Sequence, residues 1–310
     1  MSAALECVSP QRLLWDALVL PSSQAEDAWR RWRASTDLNH LDNACFHLLP
    51  ALAGRMPAWL GNDPQQSILL GICRRAWSQN QVRKKPLADA LEILRAAGIE
   101  RVAATGPVLW GELYWPEGAI RPVGRVDLLI EPASVRAAFE ALVKSGWISE
   151  YGLPTTAGRP FYFGNGVPLR SPEGAEVRVH WRALPHTDVL LWRPQAAPLQ
   201  AMPAGQIATF AIPAEYALVA ALGGEYEDEL SWRYDAIMFC RRPSLNWKLV
   251  AALLRRRSAA RNRLDELRYH WGAEIPPEVT MQPAWTRGLN LTLALALRVY
   301  RRAKAMTKSV

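Results

Sequence analysis

Apolar positions recur with a helical period over the first hundred residues. Leu38, Leu41, Ala44, Cys45, Leu48 and Leu49 lie on one side of a 3.6-residue repeat. The same reading predicts helices over 12–18, 23–34, 67–78 and 87–97, with Ser23 as an N-cap. Pro50, Pro57 and the stretch 61–64 are expected to interrupt them, and Gly98 to close the last one. The period changes at residue 99. Segments 99–103 and 126–130 read as strands, separated by a short helix at 108–114 and a loop at 115–122. Pro132 opens a helix over 133–144, and 146–150 leads into another strand. Residues 159–181 read as a hairpin. Phe161, Tyr162 and Phe163 fall in one arm, Gly174 marks the turn, and Val177, Val179 and Trp181 alternate with Glu176, Arg178 and His180 in the other. From Pro213 the helical period returns, over 214–222, 230–239, 247–257, 260–271 and 286–307.

The expected fold class is therefore α+β. A mixed sheet near 100–104, 125–130 and 176–181 is flanked by N-terminal and C-terminal helices. The corresponding division of the chain is a helical region 1–98, an α/β core 99–182 and a helical region 183–310.

Composition narrows the chemistry. Half of the 310 residues are hydrophobic and 21% are charged, enough for a large core and against intrinsic disorder. Four scattered cysteines exclude a CxxC zinc site or a disulfide scaffold. No secretory signal or membrane-spanning run is read, and a cytoplasmic location is expected. Formal net charge is +8, with an excess of 11 positive charges after residue 240 balanced by a slight negative excess before it. That region is expected to attract polyanions weakly and without sequence preference. No GxSxG elbow, Walker A loop, HExxH or dinucleotide-binding glycine run is present.

The most informative stretch is GELYWPEGAIRPVGRVDLLIEPASVRAAFEALVKSGW, residues 111–147. With Thr105-Gly106 before it, Val177-Arg178-Val179-His180-Trp181 after it and Trp232-Arg233-Tyr234-Asp235 later, it resembles the uncharacterised nucleotidyltransferase family of the DNA polymerase beta-like superfamily. The resemblance runs from about residue 10 to about residue 275. It implies a nucleotidyltransferase-like sheet. It also implies three carboxylates that hold divalent ions for transfer from a nucleoside triphosphate. Two would come from an Asp-x-Asp pair, whose spacing of two points both to one strand face, and the third from a neighbouring strand.

The chemical positions depart from that pattern. Arg125 stands at the first aspartate, Asp127 at the second and Arg178 at the third carboxylate, while Thr105 replaces a lysine. Unit charges 4 Å apart interact by roughly 4 kcal/mol at an effective dielectric of about 20, so each Arg reverses a substantial local term. The expectation is a degenerate site without a resident metal, serving as a binding or accessory module for a peptide, a protein or an anionic small molecule. Mg²⁺ and an NTP would enter only if transfer survives. Two roles stay open for the arginines: a structural pair with Asp127, or an anion site of Arg121, Arg125 and Arg178 near Thr105 and Gly106. His180 reads either as a structural histidine or, with Asp127, as a catalytic group. Asp235 reads as a hydrogen-bond anchor.

Overall fold

The computed structural model describes residues 9–55, 63–105, 122, 126–149, 166–181, 212–224, 229–255 and 257–280. Helices α1 (Pro10–Val19), α2 (Ser22–Ser35), α3 (Asn43–Arg55) and α4 (Gln66–Ala96) come first. They are followed by β1 (Val102–Thr105), β2 (Val126–Ile130), a 3-10 turn at Pro132–Ser134, α5 (Val135–Lys144), β3 (Gly166–Arg170) and β4 (Glu176–His180). Helices α6 (Ala214–Gly223), α7 (Glu229–Cys240), α8 (Trp247–Leu254), α9 (Ser258–His270) and α10 (Pro277–Thr280) complete the order.

The sheet order is β1-β2-β4-β3. β1 pairs antiparallel with β2, β2 parallel with β4, and β4 antiparallel with β3. Both central strands are buried on their apolar faces. Val102, Val126, Leu128, Ile130, Val167, Leu169, Val177, Val179 and Trp181 share one core with α5 and the C-terminal half of α4. Ala103 and Leu129, from the opposite face, join a larger core in which N-terminal helices α1–α3 and C-terminal helices α6–α9 pack together. Fully buried Trp15, Trp32 and Trp232 fill that core. Each such ring removes on the order of 150–250 Å² from water, the main reason a tryptophan-rich chain can hold these helices together.

Four expectations are corrected. Pro50 does not end α3, which runs on to Arg55, and the two helices expected either side of residue 80 are one, α4, with Pro86 inside it. Pro86 deprives the Val82 carbonyl of its helical donor, and Val82 is 72% exposed, so water can take that place. Ser23 is not a cap, because Pro21 holds the N-cap position and no side chain caps α2. Of the strand expected from 146–150, the described residues show a single bridge, between Ile148 and Arg170. The first hairpin arm is Gly166–Arg170, and the Phe161–Phe163 stretch lies outside the described residues, as do the helices expected at 108–114 and 286–307.

Other local signals hold. Gly98 and Gly146 follow α4 and α5 with φ of +75° and +89°. The next residues, Ile99 and Trp147, return their N–H groups to Leu94 and Leu142, which closes both helices where only glycine adopts the turn without strain.

Candidate functional site

The strand period of two sorts the sheet into an apolar face and a polar one. Arg178 lies directly across the parallel β2–β4 pair from Asp127, His180 lies across from Leu129, and Thr105 lies across from Asp127 on the other side. Residues opposite one another in a ladder share a face. Asp127, Arg178 and His180 therefore stand together on the face that Leu129 and Ala103 also occupy, turned towards the larger core.

The contact within this group is a hydrogen bond between His180 Nε2 and Asp127 Oδ1 at 3.0 Å, with both side chains about nine-tenths buried. An ionised carboxylate only accepts, so towards that form of Asp127 the imidazole Nε2–H is the donor. Arg178 makes no ion pair with Asp127 among the described residues. Its buried Nε has no hydrogen-bond partner there either, which leaves a guanidinium donor turned into the protein without a protein acceptor.

Gly166 completes the arrangement. It sits opposite His180 across β3–β4. A Cβ at 166 would fall 2.7 Å from His180 Nδ1, 3.0 Å from its Cγ and 2.8 Å from the Val179 carbonyl oxygen. The imidazole lies where a side chain would be, so the glycine is a spatial requirement of the ring's position. Sequence reasoning passed over Gly166. The signal available was a glycine at the hairpin position that pairs with the histidine, legible only once the register was known.

The other expected site residues fall as follows. Asp235 is fully buried in α7 beside Ser231, which is also buried. Its neighbour Arg233 is held in a stack: the guanidinium carbon lies 4.8 Å from the Trp232 ring centroid and 4.7 Å from that of Trp271. Glu266 Oε1 accepts from Arg233 Nε at 2.9 Å and from Trp271 Nε1 at 3.1 Å. Arg263 also packs against the Trp232 ring, 4.9 Å from its centroid, and donates to the carbonyls of Leu222 and Gly224. The late Trp-Arg-Tyr-Asp segment is thus the hub that joins α7, α9 and the end of α6. Gly106, Arg121 and Arg125 lie outside the described residues.

Among the described residues the donor set does not fit a two-metal centre. Asp127 supplies one carboxylate, already engaged by an imidazole, and the position directly opposite carries a guanidinium. Glu176 shares the face by parity but is exposed at the start of β4, opposite Arg170. No group of three or more His, Cys, Asp or Glu side chains is placed to hold a metal ion among the described residues. No helix among them is long and apolar enough to cross a membrane.

Among the described residues, a mixed four-stranded sheet flanked by N-terminal and C-terminal helices defines the class as nucleotidyltransferase-like. The family comparison agrees: residues 31–268 match the model described as uncharacterised nucleotidyltransferase, and the chain belongs to that family. The comparison with curated proteins gives no match.

Proposed function

We propose that this protein keeps the nucleotidyltransferase fold but uses the polar face of its sheet to bind an anionic group, as an accessory module in a biosynthetic or peptide-modifying pathway in the cytoplasm. The observation that carries this reading is Arg178, directly across β2–β4 from Asp127 with a buried Nε that no described residue satisfies. A planar guanidinium suits phosphate or carboxylate, and the hydrogen bond between Asp127 and His180 leaves it available for one. Arg121, Arg125, Thr105 and Gly106 are the further residues assigned to the same anion. The basic stretch after residue 240 adds a weak, salt-sensitive attraction for polyanions.

The test is calorimetric titration with inorganic phosphate and ATP, each with and without Mn²⁺. Phosphate or ATP is expected to bind without help from the metal, with affinity reduced about tenfold or more in Arg178→Ala. Stoichiometric Mn²⁺ binding that is lost in Asp127→Ala, together with nucleotidyl transfer from an NTP to a hydroxyl acceptor, would overturn the reading in favour of an active transferase.

A further inference from the structure

The turn between α8 and α9 gathers arginines and no acid. From Leu249 to Leu264 the chain carries five Arg and neither Asp nor Glu. Arg255 is exposed, and Arg257 and Arg261 are half-buried. Arg257 Nη1 donates to the Leu253 carbonyl, and Arg261 Nη2 to the Leu254 carbonyl at 2.9 Å. The two guanidiniums therefore meet adjacent carbonyls at the C-terminal end of α8. Each spends one of its five N–H donors there. The buried Nε of each has no hydrogen-bond partner among the described residues.

Closing α8 accounts for part of this charge. The last turn of a helix carries about half a negative charge, against the two positive charges of Arg257 and Arg261. About 1.5 charges are left over before Arg255 is counted. No carboxylate offsets them. None of the three arginines makes an ion pair among the described residues, and Asp265, one turn beyond Arg261, is engaged elsewhere. Helix α9 has no acidic residue in its first turn. Burial pulls the Arg257 guanidinium below its ordinary value. The ionisable group beside it is the Tyr216 hydroxyl of α6, which burial pushes up and leaves uncharged at neutral pH.

We propose that Arg255, Arg257 and Arg261 form a binding site for a dianionic phosphate group, of the kind a phosphate monoester presents, at the α8–α9 turn. A monoester carries about −1.5 to −2 at pH 7, which matches the surplus, whereas a carboxylate or a phosphodiester brings about −1 and leaves part of it. Forked guanidinium donors suit phosphate oxygens. The carbonyls of Leu253 and Leu254 already hold two of the forks, so less side-chain freedom is lost on binding. The partial exposure of both residues lets a solute reach their remaining donors. The site shares no residue with the anion site proposed on the sheet.

The experiment uses the full chain carrying Arg178→Ala, which removes the sheet site, and titrates methyl phosphate by calorimetry at about pH 7.5, above the second pKa of the ester. One equivalent is expected to bind with submillimolar affinity. Adding Arg261→Gln should weaken it about tenfold and adding Arg255→Gln about threefold. Arg261→Lys keeps the charge but loses the fork, and should fall between wild type and Arg261→Gln. Lys144→Glu, an exposed charge reversal on α5, should leave binding unchanged. Dimethyl phosphate, a monoanion, should bind about tenfold more weakly. Melting curves establish that the variants fold. Arg255 is exposed, so Arg255→Gln decides the matter if Arg261→Gln unfolds the chain, and the same loss is expected when it is made without Arg178→Ala. Absence of binding in the folded Arg178→Ala chain overturns the proposal and leaves the sheet site untouched. So does binding that neither Arg255→Gln nor Arg261→Gln weakens, or dimethyl phosphate binding as tightly as methyl phosphate. A single-stranded oligonucleotide that binds far more tightly than methyl phosphate, and is released by the same variants, would overturn the discrete site in favour of a nucleic-acid surface.

Discussion

Replacing Gly166 with alanine tests whether the glycine exists to seat His180. The added Cβ would lie 2.7 Å from the ring nitrogen and 2.8 Å from the Val179 carbonyl oxygen, against a usual approach of 3.4 Å or more, so something must retreat by about 0.6–0.7 Å. The ring is the softer neighbour. Moving it that far disturbs the geometry of its 3.0 Å bond to Asp127. Forced overpacking costs about 1–3 kcal/mol, and depriving the buried pair of its hydrogen bond about 1–3 kcal/mol more. The entropic benefit of Gly→Ala, about 0.5–1 kcal/mol, is smaller than either and leaves the sign unchanged. At roughly 2–4 °C per kcal/mol for chains of this order of size, the midpoint should fall by roughly 5–15 °C. Thermal melts followed by circular dichroism would measure it for the wild type, both single variants and the double Gly166→Ala, His180→Ala. Two of the three close contacts are to the imidazole, so Gly166→Ala should cost less in the His180→Ala background. An equal cost in both backgrounds would mean that the Val179 backbone excludes the side chain, and the histidine-seating argument would be refuted. No fall at all would refute the geometry.

Two further outcomes are expected. Arg233→Ala removes a guanidinium held between two indoles and leaves the part-buried Glu266 carboxylate without its cation, so a loss of about 2–4 kcal/mol is expected in a urea melt; a change under about 0.5 kcal/mol would show the stack to be incidental. Burial pushes the Cys240 thiol up to about 12, so about one molecule in ten thousand carries the thiolate at pH 8. Peptide mapping after brief alkylation should find Cys240 unmodified in the native protein and modified in urea, and rapid native labelling would contradict its burial.

Much of this architecture was legible in the order of residues. The switch of hydrophobic period at residue 99 and its return after 213 located the sheet between two helical regions, because an element's period is a local property of the chain. Alternation along 126–130 and 176–180 already put Asp127 on one face of β2 and Arg178 with His180 on one face of β4. Gly98 announced the end of α4 because a left-handed residue there is a local need as well.

Other features were decided only by assembly. Pro86 removes a backbone donor, which locally disfavours a helix, yet α4 passes through it, since separate cores hold the helix on either side and Val82, whose carbonyl loses that donor, is exposed. The sequence reading paired Asp127 with an arginine, and the structure pairs it with His180 instead. Ring and carboxylate meet because β2 and β4 run parallel in a register that sets His180 two pairs beyond Asp127 on the same face, and because Gly166 on a third strand leaves the imidazole its space. A hydrogen bond between strands distant in the chain depends on stagger and free volume. Neither is a property of any single segment, so both come into being only when the strands are brought together.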